Sequence, residues 1–195
     1  MKAYSERYEA ALVLAARAHQ GQTRKGGDIP YIIHPVHVSV ILMRYGFPED
    51  VVAAGLLHDV VEDSDVPLAC IEAGFGPAVA EMVGALTEQK REDGLARPWE
   101  TRKREALDQL RVASEGAVAV KAADVLHSVR DLIAELERQG RRIWQHFSRG
   151  PEQSLWYYRS VAALVRERLG AKPLVDELEA AVEALDDMLA ASESA

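Results

Sequence analysis

Cysteine, glycine, proline and long apolar runs are all scarce in this chain, and each scarcity removes a class of protein. One cysteine, Cys70, stands in 195 residues, so no internal disulfide can staple a small core. With no leader-like segment at its start either, the expectation is a reducing cytoplasm. No apolar run approaches the roughly 20 residues that span a bilayer. The formal charge of −8 excludes the broad basic footprint of a non-specific nucleic-acid or membrane-surface binder. It still leaves room for a small phosphorylated ligand where cations gather locally, and three groups do so: Arg24-Lys25, Lys90-Arg91 and Arg102-Lys103-Arg104. No segment alternates with period two, which argues against strands.

What is present is helix-forming: Ala, Leu, Glu and Arg dominate, and a hydrophobic fraction of 48% is enough for a core. The expected fold is all-α and compact, one domain over 1–195. Residues 4–19 form an amphipathic helix with Tyr8, Ala11, Leu12, Ala15 and His19 on one stripe. The loop GQTRKGGDIPY (21–31) follows, then a helix opening at Pro35 and closing at Tyr45-Gly46. Further helices are expected over 49–62, 65–73 (stopped by Gly74), 75–88, 99–114, 117–136, 151–169 and 173–191. The charged, aperiodic segment 89–98 reads as a mobile loop, and the Ala/Ser-rich last residues as a fraying end.

Within AAGLLHDVVED (53–63) an apolar approach runs straight into His58, Asp59, Glu62 and Asp63. Burying such charge without a partner is costly. On a continuous helix, residues four apart share a face, which stacks His58 over Glu62 and Asp59 over Asp63. A histidine beside a carboxylate suits a borderline divalent metal, and a neighbouring acid can orient a water. Asp124 is a lone acid in an otherwise apolar helix, held either at such a site or by an ion pair with Lys121 or Arg130. His34 stands at the mouth of a helix. Together His34, His58, Asp59 and Asp124 offer two imidazoles and two carboxylates, a set that balances a divalent ion and leaves coordination positions open.

The runs RKGGDIPYIIHP (24–35), LLHDVVEDS (56–64) and VKAADVLHSVRDL (120–132), in this order and spacing, resemble the HD-type hydrolase domain of the RelA/SpoT family. The resemblance covers residues 1 to about 136, and the helices after it are compatible. With no segment resembling the family's synthetase or regulatory domains, the chain is similar to the stand-alone small alarmone hydrolases, the metazoan SpoT homologue among them. The resemblance implies a manganese-dependent pyrophosphohydrolase that removes the 3′-pyrophosphate of guanosine tetra- and pentaphosphate. It implies His34, His58, Asp59 and Asp124 as metal ligands, and Glu62 and Asp63 as the acidic pair that positions or activates water. It further implies Arg24, Lys25, Lys103, Arg104 and Tyr158 as nucleotide contacts. A small-molecule nucleotide is thus the expected partner, with neither nucleic acid nor membrane.

One departure bears on substrate choice. The family usually has asparagine where this chain has Ser128, four residues after Asp124 and on the same helix face. A hydroxyl is shorter than an amide and donates one proton, so the ribose or base contact differs. Adenosine alarmones or the 2′-phosphate of NADPH are the alternative substrates, and a catalytically silent nucleotide-binding module is the alternative function. His19, His37, His127 and His146 read as packing, cap or surface residues, with His127 within hydrogen-bond reach of the site and not a ligand. Trp99, Trp144 and Trp156 read as packing, and Arg141-Arg142 as a solvated helix end.

Overall fold

A computed structural model describes residues 5–193. The chain folds into helices α1 (Glu6–Ala18), α2 (Ile33–Arg44), α3 (Glu49–Leu57), α4 (Val60–Asp63), α5 (Leu68–Phe75) and α6 (Pro77–Leu86). Then come α7 (Trp99–Val112), α8 (Glu115–Gln139), α9 (Pro151–Leu169) and α10 (Pro173–Glu193), with a 3₁₀ turn over Gly140–His146 between α8 and α9. The expected start of the first helix at residue 4 and the last two residues lie outside the described residues.

The most apolar segment of the sequence becomes the centre of the molecule. Helix α8 buries Val118, Ala119, Val120, Ala122, Ala123, Leu126 and Val129 completely and packs against α2, α3, α6, α9 and α10. Helices this apolar on most sides must be surrounded by others. Helix α3 is likewise buried from Val51 to Leu57. It approaches α2 so closely that a Cβ on Gly55 would lie 2.6 Å from Leu42 Cδ1, and only glycine leaves room for that contact.

Several expected boundaries move, each for a local reason. The helix expected over 49–62 is divided at His58-Asp59, where the backbone stays right-handed but Asp59 drifts to φ −98°, ψ −7°. Helix α5 passes through Gly74 and ends at Gly76, whose φ of 85° breaks the ladder, because Phe75 is needed as a core anchor. Helix α7 ends at Val112, and Ser114 caps α8 by accepting from the Ala117 N–H. Gly116 therefore lies inside α8, where a Cβ would meet Met82 Sδ at 2.5 Å.

The segment 89–98 is the largest correction. It is a small antiparallel hairpin, β1 (Arg91–Glu92) with β2 (Leu95–Ala96). Asp93 (φ 49°) and Gly94 (φ 79°) make its two-residue turn, a pair of left-handed residues that matches strand twist. Period two cannot show itself over two residues per strand, but the Asp-Gly pair is the signal that marks such a turn. The hairpin is tied down by Arg97, which pairs with Glu105 and Glu92. No described helix is long and apolar enough to cross a membrane.

Candidate active site

Three elements bring four distant side chains to one point. The loop after α1 ends in a turn that carries His34 into the first turn of α2. The divided helix supplies His58 and Asp59, and α8 supplies Asp124. His34 and His58 are each 2% exposed. The division between α3 and α4 matters here. On a straight helix adjacent side chains diverge by about 100°, yet His58 Nε2 lies 3.1 Å from Asp59 Oδ2. His34 Nε2 lies 3.7 Å from the same oxygen and 3.2 Å from Asp124 Oδ1, which in turn is 3.9 Å from His58 Nε2.

These donors fit a divalent cation. His58 Nδ1 lies 2.8 Å from the Gly55 carbonyl and donates to it, so in the neutral ring the lone pair is at Nε2. That Nε2 is buried and has no hydrogen-bond partner. A lone pair facing carboxylate oxygens is repulsive unless positive charge lies between them. Two imidazole nitrogens and two carboxylates are a donor set that a borderline divalent metal satisfies. The ligand atoms of His34, His58 and Asp59 all lie within 4.8 Å of one another.

The surrounding charges show how strongly the spot favours positive charge. Burial pulls His58 down, but Asp59 and Asp124 outweigh it and hold the imidazole up at about 9. Burial would raise Asp124, yet Lys121 and the two histidines keep its carboxyl well below the usual range. Lys121 Nζ binds Asp124 Oδ2 at 2.8 Å, so the ion pair and the site contact expected as alternatives coexist on the two oxygens of one carboxylate. Tyr31 donates its hydroxyl to Asp59 Oδ2 at 2.7 Å and thereby orients the other acid.

The cluster opens into a cavity of about 610 Å³ lined by residues of both signs. Glu62 and Asp63 face it, and both carboxylates meet Lys90: Glu62 at 3.1 Å, Asp63 in a closer ion pair. Glu62 also accepts from the Glu88 backbone N–H at 3.0 Å. Burial, then Asp59 and Glu88, raise the Glu62 carboxyl, with Lys90 opposing. Arg24 is braced by Asp131 at 2.7 Å and lies over the Tyr31 ring. Lys25 lies over Phe147 and Lys103 over Tyr157. Lys103 and Arg102 share Glu88 at 2.5 and 2.7 Å. Burial, then Lys103, Arg24 and Lys90, lowers Lys25, with Asp63 opposing.

Most of the side chains singled out in the sequence meet here, but not all. His34, Asp59, Asp124, Glu62, Asp63, Arg24, Lys25, Lys103, Ser128 and Tyr158 line the cavity, whereas His58 is not among its lining residues and lies behind them, against Asp59 and Asp124. Arg104 does not belong to it. One step along α7 turns its side chain outward, over Trp156 and into a separate surface groove, while Arg102 faces inward. Ser128 Oγ reaches back toward Asp124 Oδ1 at 3.4 Å. Trp99, read as packing, also lines the cavity.

Sequence reasoning missed Tyr31, Lys90, Arg102, Lys121, Phe147 and Tyr157 as cavity residues. Lys90 and Arg102 were visible only as members of basic groups, and Lys121 only as a candidate partner of Asp124. Also unforeseen was a row of three imidazoles. His34 Nδ1 lies 2.8 Å from His127 Nδ1, and His127 Nε2 lies 2.7 Å from His37 Nδ1. Burial, then His34 and Arg24, push His127 down to about 3.

A family model described as the HD domain matches residues 11–151, a span that contains every one of the four converging donors. The chain belongs to the HD-domain family. Among HD-domain proteins its relatives are of the RelA/SpoT type. It is 41% identical to a guanosine-3′,5′-bis(diphosphate) 3′-pyrophosphohydrolase of Homo sapiens over 121 residues, 60% of this chain and 65% of that one. It is 33% identical to the enzyme of the same description from Vibrio cholerae over 180 residues, 89% of this chain and 23% of that one. The chain thus spans less than two thirds of these curated relatives. Among solved structures, a Listeria monocytogenes protein matches with TM-score 0.68 and 34% identity, over 78% of this chain and 97% of that one. A metazoan orthologue of SpoT, described as hydrolysing ppGpp, matches with TM-score 0.75 and 28% identity over 94% and 98%. That likeness takes in more of the chain than the matched family segment, and α9 and α10 pack on α8.

Proposed function

We propose that this HD-domain chain is a metal-dependent hydrolase that removes the 3′-pyrophosphate of guanosine tetra- and pentaphosphate, leaving GDP or GTP. The observation that carries the reading is the buried His58 Nε2 facing Asp59 and Asp124, two acids that line a cavity also lined by Arg24, Lys25 and Lys103. The relatives described as 3′-pyrophosphohydrolases support the substrate class.

His34, His58, Asp59 and Asp124 would hold the metal, manganese by resemblance to the family. When bound, it supplies Lewis-acid polarisation of a phosphate oxygen and a lower pKa for the attacking water. Glu62 takes the proton of that water and Asp63 supports it. Water oxygen joins the phosphorus attached to the ribose 3′-oxygen, that P–O bond breaks, and the ribose oxygen leaves as a hydroxyl carrying the proton that Glu62 gives back, with pyrophosphate released. Arg24, Lys25 and Lys103 offset the polyphosphate charge, which a chain of net charge −8 would otherwise repel. Arg24 and Tyr158 frame the nucleoside. The whole chain acts as one hydrolase domain, and its single exposed cysteine suits a reducing cytoplasm.

A second reading keeps the chemistry and changes the nucleotide. Ser128 is short and directed toward Asp124, which removes one amide contact to ribose or base and favours adenosine alarmones or the 2′-phosphate of NADPH. A panel of guanosine and adenosine alarmones and NADPH, assayed with Mn²⁺ for pyrophosphate and phosphate release, decides between them. Release of pyrophosphate from the guanosine substrates with the highest kcat/KM supports the first reading. Binding of every nucleotide without turnover, in metal-replete protein, overturns both and leaves a silent binding module.

A further inference from the structure

Two imidazoles beside the cluster, His37 and His127, have no part in water activation or phosphate binding as described, yet they are aligned nitrogen to nitrogen with His34. His34 and His37 stand three residues apart on α2 and so share a face. His127, on α8, lies between them. Its Nδ1 is 2.8 Å from His34 Nδ1 and its Nε2 is 2.7 Å from His37 Nδ1. The chain runs from a ring that is 2% exposed to one at the surface.

A neutral imidazole has one N–H and one lone pair. A metal at His34 Nε2 needs the lone pair there, so the proton must sit on Nδ1 and requires an acceptor. His127 Nδ1 is that acceptor. Having accepted at Nδ1, His127 carries its own proton on Nε2 and donates it to His37 Nδ1. Each link in the row then has a single consistent direction, from the buried ring outward. Which nitrogen of a ligating histidine is free is set by the hydrogen bond of the other.

We infer that His127, braced by His37, is a positioning residue that locks His34 in the tautomer and ring orientation able to ligate a divalent metal through Nε2. The inference rests on the reading of His34 as a metal ligand. It assigns a purpose to His37, which the sequence presents as a packing or surface residue, and to His127, expected only within hydrogen-bond reach of the site, and it extends the site to the protein surface.

The test combines imidazole ¹⁵N spectra of the protein loaded with Zn²⁺, a diamagnetic divalent ion, with calorimetric Mn²⁺ titration. In the wild type, His34 should show a protonated Nδ1 and an unprotonated Nε2. His127→Ala should give His34 a mixture of tautomers and weaken Mn²⁺ binding about ten- to a hundredfold, the usual scale for losing such a partner. His127→Asn places an amide oxygen near the lost Nδ1 and should recover most of the affinity, which generic packing would not. His37→Ala should produce a smaller loss of the same kind. A wild-type His34 protonated on Nε2 overturns the proposal with no variant needed. So does His127→Ala that binds Mn²⁺ like the wild type with His34 unchanged. Failure of the metal reading looks different: the wild type itself takes up no Mn²⁺, and the positioning role falls with it.

Discussion

Lys121 grips Oδ2 of Asp124 at 2.8 Å and leaves Oδ1 toward His34 at 3.2 Å. One carboxylate is thus divided between a lysine and the His34 side of the proposed metal site. Lys121→Met should leave a buried acid short of its partner, costing about 3 kcal/mol, the low end for breaking a buried pair, because the two histidines remain. Denaturant unfolding with and without Mn²⁺ checks this: added metal should restore part of the loss, since ligand binding stabilises the folded state. Equal losses with and without metal would separate Lys121 from the site.

Asp59→Ala and Asp124→Ala should lose both metal uptake and turnover, whereas Glu62→Gln should keep the metal and lose about 10²–10⁴ in kcat. Metal content measured beside single-turnover rates distinguishes the two classes. A Glu62→Gln protein without metal would place Glu62 among the ligands.

Glu62 is raised by burial and by Asp59, and Lys90 holds it back. A general base must be ionised, so activity should climb with pH as Glu62 loses its proton. Removing the ammonium in Lys90→Met takes away a term that lowers the Glu62 pKa. The acidic limb of the kcat profile should therefore move to higher pH. An unmoved or downward-shifted limb would show that another group sets it.

Arg102 and Arg104 make opposite predictions from nearly adjacent positions. Arg102 faces the cavity and pairs with Glu88, so Arg102→Ala should raise KM about tenfold, as expected for losing a charge-assisted contact of ~1.5 kcal/mol. Arg104 lies over Trp156 outside the cavity, and Arg104→Ala should leave KM near the wild-type value. Steady-state kinetics on the preferred nucleotide read both.

The glycine at position 55 allows α3 to press on α2. Gly55→Ala would set a methyl 2.6 Å from Leu42 Cδ1 and should cost about 1–3 kcal/mol as an overpacked core contact. Because His58 donates to the Gly55 carbonyl, the same variant should also loosen metal binding. Thermal unfolding and Mn²⁺ affinity measured together test the link.

Much of the architecture can be read locally. Stripe periodicity placed α1, and Gly170 with Pro173 divided α9 from α10, each to within a turn or so, while the apolar run 117–136 correctly marked the central helix, because local pattern and helix breakers act over a few residues. His58 and Asp59 stood out for the same reason, as charge in an apolar helix. What failed was of a different kind. The division at His58-Asp59 leaves no trace in composition, although the two side chains were expected to reach a shared centre and do. The hairpin at 91–96 is too short for any period to register.

The sequence by itself determined the inventory: an all-helical chain, two imidazoles and two carboxylates in apolar settings, and a basic loop. These are properties of residue type and of a helix repeat that spans only a few residues. Only the tertiary structure decided the pairings, because they join residues far apart in the chain whose approach depends on how helices cross. It turned Arg104 outward and Arg102 inward, carried Lys90 onto Glu62 and Asp63, and laid His127 against His34 across 93 positions.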